Sequence, residues 1–122
     1  MLGQLSSHLE RYMDLLTRRQ QVVATNIANA DTPGYRTRDL DFQAEFQKAL
    51  EEAANLEAPR LHAIGLHEVE ALTVKNDGNN VSVQREAQLL GETAVRFNIA
   101  SNFLRAEIRQ TRAAIRGGGG QS

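Results

Sequence analysis

The sequence predicts an all-α protein whose long N- and C-terminal helices pair as a coiled-coil-like hairpin, with a short helix and an irregular, partly extended segment between them. Three observations predict it. Apolar residues recur at helical spacing over the first thirty positions, a longer heptad pattern fills the C-terminal third, and the stretch between is acidic and interrupted by turn formers. The expected layout is a helix over 1–31, a turn, short helix and irregular acidic segment over 32–80, a helix over 81–116 and a flexible glycine-rich tail over 117–122.

In the first helix, Leu2, Leu5, Leu9, Tyr12, Leu16 and Val23 form one face, with Met13, Ile27 and Ala30 beside it. Asp31-Thr32-Pro33-Gly34 marks its end, between Asn29 and Thr32. Proline disfavours helical geometry in the residue before it, and Pro-Gly suits the centre of a type II turn. Asp41 to Ala54 reads as the short helix, with Phe42, Phe46, Ala49, Leu50 and Ala53 on one face and Asp39 or Asp41 as its cap. In 55–75, Val69, Ala71, Leu72 and Val74 hint at extended chain, while Pro59 and Gly65 break anything longer. Asn76-Asp77-Gly78-Asn79-Asn80 is a dense turn cluster and a hinge into the last helix.

That last helix has the cleanest pattern. Ala87, Leu90, Ala94, Phe97, Ser101, Leu104, Ile108, Thr111 and Ile115 step alternately by 3 and 4, with Ser82 as N-cap and Gly117 as the stop. At about 1.5 Å per residue the two long helices reach roughly 43 and 50 Å. Neither is stable alone in water with a single apolar seam, so each must lay that seam on a partner.

Composition narrows the function. Leu, Ile, Val and Phe supply 30 of 122 residues, which allows only a thin core. Without cysteine there is neither a disulfide framework nor a thiolate metal site. No apolar run approaches a membrane span, and the N-terminus lacks the basic and apolar regions of a secretory signal. The net charge is −1, but its distribution is uneven. Residues 39–77 hold nine acids against three bases, and 84–116 hold six arginines against three glutamates.

No catalytic, cofactor or metal residues are expected. His8 lies on a polar flank, and His62 and His67 are five apart in the least regular segment, with only Glu68 and Glu70 nearby. The glycines at 117–120 follow a helix, whereas a phosphate loop must open one. Arg85, Arg96, Arg105, Arg109, Arg112 and Arg116 stand in a chain with no net basic charge, which disfavours nucleic acid and favours an acidic protein surface, such as 39–77 of a neighbouring copy. Asn26 and Asn29 lie on or beside the first apolar stripe; they either fix helix register or mark fraying ahead of Pro33.

The run Asn26-Ile27-Ala28-Asn29-Ala30-Asp31-Thr32-Pro33-Gly34-Tyr35 resembles the signature of the flagellar basal-body rod protein family. Arg38-Asp39-Leu40-Asp41-Phe42, then Asp77-Gly78-Asn79-Asn80-Val81 with Arg85-Glu86, resemble its proximal rod members in particular. The resemblance implies terminal helices that form an inner α-helical layer of a helical tube. It also implies export through the flagellar type III apparatus without a cleaved signal, and a place in the rod that crosses the periplasm and passes torque to the hook. Partners implied are other copies, other rod proteins, the rod-adapter and export-gate proteins and the membrane-embedded ring. Phe42 and Phe46 have the form of an export-gate docking element, and equally that of an ordinary amphipathic helix. The expected assembly interface is Leu9, Leu16, Val23 and Ile27 from the first helix and Leu90, Phe97, Leu104 and Ile108 from the last. On this reading the terminal helices are partly disordered until they join the rod. The competing class is a soluble helical adaptor that binds a partner helix without polymerising.

Overall fold

The computed structural model describes residues 2–54 and 64–120. Among them the chain forms α1 (Leu2–Ala28), β1 (Arg38–Leu40), α2 (Phe42–Ala54), β2 (Leu66–Glu68) and α3 (Val83–Gly120). The molecule is a hairpin of the two long helices α1 and α3, with α2 laid along α1 and the two short strands beside the closed end. The segment 55–63, with Glu57, Pro59, Arg60 and His62, lies outside the described residues.

α1 ends at Ala28, just ahead of the expected Asn29–Thr32 stop. The Tyr35 amide donates to the Thr32 carbonyl at 3.2 Å, and Gly34 takes φ 75°, so Pro33-Gly34 occupies the centre of a type II turn. Of the two candidate caps for α2, Asp41 serves: its Oδ1 accepts the Ala44 amide at 3.2 Å. Ser82 caps α3 as expected, accepting the Arg85 amide at 3.2 Å.

β1 and β2 pair antiparallel, with Arg38 opposite Glu68, Asp39 opposite His67 and Leu40 opposite Leu66. The extended chain therefore begins earlier than Val69–Val74 suggested. Val69 only adds an amide donated to the Thr37 carbonyl at 3.0 Å, and Ala71 at φ 63° breaks the strand.

The core is thin, as composition requires: among the described residues Leu15, Leu16, Val23, Leu40, Ala49, Val81 and Ala100 are the buried apolar ones. An edge-on aromatic group adds to it, with Tyr12 of α1 5.4 Å from Phe42 and 5.5 Å from Phe46 between ring centroids.

The seam of α3 is corrected in one respect. Phe97, Leu104 and Thr111 are half-buried as expected, but the alternate heptad positions filled by Ala87, Ala94, Ser101 and Ile108 are displaced by Glu86, Thr93, Ala100 and Glu107, all four buried. Leu90 and Ile108 are 39% and 41% exposed and Ile115 70%. Apolar periodicity ignores polar residues, whereas Glu86 is drawn inward by partners on α1 and α3. The small Thr93 and Ala100 let the helix axes approach.

A second correction concerns the tail. α3 continues through Gly120, past the expected stop at Gly117. Each glycine weakens a helix by about 1 kcal/mol relative to alanine, yet it keeps the amide that extends the ladder, so nothing forces a break.

Candidate assembly site: the polar junction and the open helix faces

At the closed end of the hairpin, two turns pack back to back. Gly34 donates its amide to the Asp77 carbonyl at 2.8 Å, and Gly78, at φ 86°, lies so close that a Cβ there would be 3.3 Å from the Gly34 Cα. Asn79 Nδ2 donates to the Asn29 and Thr32 carbonyls, both at 2.8 Å, while its Oδ1 accepts the Val81 amide at 2.8 Å. Asn80 Oδ1 accepts the Thr37 amide at 2.6 Å. The carbonyls of the turn that follows α1 thus find partners in the turn that precedes α3.

Asn26 is the centre of this junction. Its side chain is 1% exposed and fully bonded. Nδ2 donates to the Arg38 carbonyl at 2.8 Å and to Glu86 Oε2 at 3.1 Å. Oδ1 accepts the Tyr35 hydroxyl at 2.8 Å and the Arg38 amide at 3.2 Å. One side chain thereby ties α1 to β1, to the signature turn and to α3. Burial pushes the Tyr35 phenol up, with Arg38 opposing and Glu86 reinforcing, so it stays a neutral donor.

A charge chain continues outward. Arg85 bridges Glu86 Oε1 and Asp39 Oδ2, and Asp39 Oδ2 also accepts Arg19 Nη2 at 2.9 Å. Burial, the largest single influence on Asp39, raises its pKa. The bonds and charge of Arg19, with the Leu40 amide and Arg85, outweigh it and hold the carboxyl below its usual range. A buried carboxylate with two guanidinium partners orients three segments at once and has no exposed reaction space, which is the chemistry of a structural joint.

Beside the junction, an open groove is lined by Val22, Leu40, Leu66, Arg18 and Arg38 among others. Among the described residues no group of three or more His, Cys, Asp or Glu is placed to hold a metal ion. No described helix is long and apolar enough to cross a membrane.

The family model described as "Flagella basal body rod protein" matches residues 13–36, the end of α1 and the signature turn. The chain is similar to the flagellar basal body rod protein FlgB of Borrelia hermsii, 34% identical over 110 residues that cover 76% of this chain and 82% of the relative. It belongs to the FlgB family of flagellar basal body rod proteins. The FlgB proteins of Escherichia coli K12 and Salmonella typhimurium are similar over more of the chain. They are 30% and 28% identical, covering 89% and 97% of this chain and 93% and 99% of theirs.

Within this FlgB-family hairpin the ten signature residues form the end of α1 and the turn that follows it, in which Asn26 and Tyr35 point into the junction while Asp31, Thr32, Pro33 and Gly34 are exposed. Of the two readings open for Asn26 and Asn29, register fixing describes Asn26. Asn29 is a local cap, bonded to the Thr25 carbonyl and the Thr32 hydroxyl. The eight expected interface residues divide. Leu16 and Val23 are enclosed in the chain's own core, Leu9, Ile27, Phe97 and Leu104 are half-buried, and Leu90 and Ile108 face outward. Phe42 and Phe46 pack on Tyr12. Sequence reasoning missed the roles of Arg19, Thr37 and Asp39; a buried aspartate flanked by arginines has no periodic signal.

Proposed function

We propose that this chain is a structural subunit of the proximal rod of the bacterial flagellum, exported by the flagellar type III apparatus and assembled helically into the shaft that carries torque to the hook. Beyond family membership, one observation carries the reading. α3 meets α1 along one side, yet Val95, Ile99 and Phe103, spaced by 4, line the other side at 58%, 51% and 62% exposure. An apolar strip of this kind on a thin-cored chain marks an interaction surface. A contact that pairs different faces of successive copies grows a helical tube where its rotation does not close a ring.

The partners on this reading are other copies, other rod proteins, the rod-adapter and export-gate proteins at the base and the surrounding membrane ring. No cofactor, metal or nucleic acid enters. The unassembled chain is held together at the polar junction, while the far ends of α1 and α3 order on joining the rod, which restrains polymerisation in the cytoplasm. Full amide-exchange protection at those far ends in a dilute monomer would exclude that restraint. Export reads Phe42 and Phe46 from the extended chain, since folding packs both rings on Tyr12; Phe42→Ala with Phe46→Ala then lowers secretion without lowering synthesis.

The test is an in-frame deletion in the source bacterium, scored by electron microscopy of isolated basal bodies and by motility, with the gene restored from a plasmid. Loss of rod and filament with rescue is the expected result. Intact basal bodies would overturn the proposal and bring the adaptor class forward.

A further inference from the structure

The end of α3 carries a charge stripe that no described carboxylate answers. Arg105, Arg109, Arg112 and Arg116 step by 4, 3 and 4, which places all four on one helix face. All are exposed, and among the described residues no carboxylate lies in ion-pair range of any of them. Arg105, Arg109 and Arg112 line a shallow groove with Asn102 and the 41% exposed Ile108. With Asn26 bonded to Glu86, the antiparallel rise of the two helices sets the start of α1 opposite about residue 110 of α3. The last turns of α3 therefore project past the end of α1.

The complementary surface lies on α1. Glu10 and Asp14 are exposed on its outward side, in a stripe with the exposed Gly3, Thr17 and Gln21, and among the described residues no cation pairs with either. Asp39 and Glu86, by contrast, are already held by arginines. Within one chain the two stripes do not meet.

We propose that the arginine stripe of α3 docks on the Glu10–Asp14 stripe of α1 in a second copy of this chain. This rests on the rod-subunit reading and adds which faces meet. Both pairs are spaced i,i+4, about 6 Å, so antiparallel helices bring Arg105 to Asp14 and Arg109 to Glu10 at the same time. In its own chain Arg105 is level with about residue 7 of α1, so the second copy is slid along the axis by about 10 Å. The two faces differ and each copy is slid along the axis, so the contact repeats as a rising helix instead of a flat ring. Opposite charge sets its register and excludes a copy in the wrong stagger.

The experiment uses the full chain in the deletion strain of the source bacterium. Arg105→Glu with Arg109→Glu, and separately Glu10→Arg with Asp14→Arg, each lower the yield of basal bodies about tenfold, and the four changes together restore it. Circular dichroism of the purified variants checks that these exposed changes leave the fold intact. Because the chain has no cysteine, Asp14→Cys with Arg105→Cys supplies a second readout: oxidised basal bodies yield a ladder of covalently linked copies. Reversals without effect, a combined variant no better than either half, or only unlinked chains after oxidation would overturn the proposal. A deletion strain that keeps its rods would overturn the rod reading instead.

Discussion

Replacing Asn26 by alanine removes the side chain that joins all the elements of the closed end. It is 1% exposed and makes bonds to the Arg38 carbonyl and amide, the Tyr35 hydroxyl and the Glu86 carboxylate. Each buried group left unpaired costs about 1–3 kcal/mol, and a water entering the gap recovers part of it. The expected loss is about 3–4 kcal/mol, a large share of the roughly 5–15 kcal/mol typical of a domain. For a chain of this size that lowers the melting midpoint by about 10–20 °C. The assay is thermal and urea unfolding followed by far-ultraviolet circular dichroism. Asn29→Ala is the internal control, because its side chain makes only local bonds to Thr25 and Thr32, so its loss should stay near 1 kcal/mol. If Asn26→Ala shifts the midpoint no further than Asn29→Ala, the junction does not hold the hairpin and the reasoning is refuted.

Three further outcomes are expected. Gly34→Ala and Gly78→Ala each force alanine to positive φ, at about 1–2 kcal/mol, but only Gly78→Ala also drives a Cβ to 3.3 Å from backbone, so urea midpoints should rank it as the more damaging. Asp39 has a folded pKa below its unfolded value of about 3.9, so its contribution is present above about pH 4 and is lost as pH falls through the lower folded value. Asp39→Asn should be about 2 kcal/mol less stable at pH 7 and show a shallower acid limb in stability against pH; an unchanged limb would remove Asp39 from the joint. Leu104→Asp places a charge on the half-buried side of α3 and should abolish rods in basal-body preparations, whereas unaltered rods would mean that this face is not needed.

The sequence made the long elements legible because their cause is periodic. Apolar residues at helical spacing located α1 and α3, and Pro33-Gly34 and Ser82 marked their boundaries to within a few residues. What it hid is polar. Glu86, Thr93 and Glu107 take part in the buried side of α3, so a pattern built on apolar character turned the seam by one residue. Asn26 drew notice as a polar interruption, but its partners Arg38, Tyr35 and Glu86 are up to 60 positions away, a pairing no local spacing encodes. The three-residue strands β1 and β2 are too short for alternation to show, and β1 is held at Arg38 by the distant Asn26 side chain.

On the proposed function, a hairpin locked by the Asn26–Glu86 junction is the unit that builds the rod. A density map of the rod from basal bodies of the source bacterium, at a resolution that separates side chains, tests it most directly. Copies of this chain are expected in the rod wall, each with α1 antiparallel to α3 and Asn26 within hydrogen-bond distance of Glu86. A rod without this chain, or copies whose α1 and α3 pair with neighbours and leave Asn26 and Glu86 apart, would contradict it.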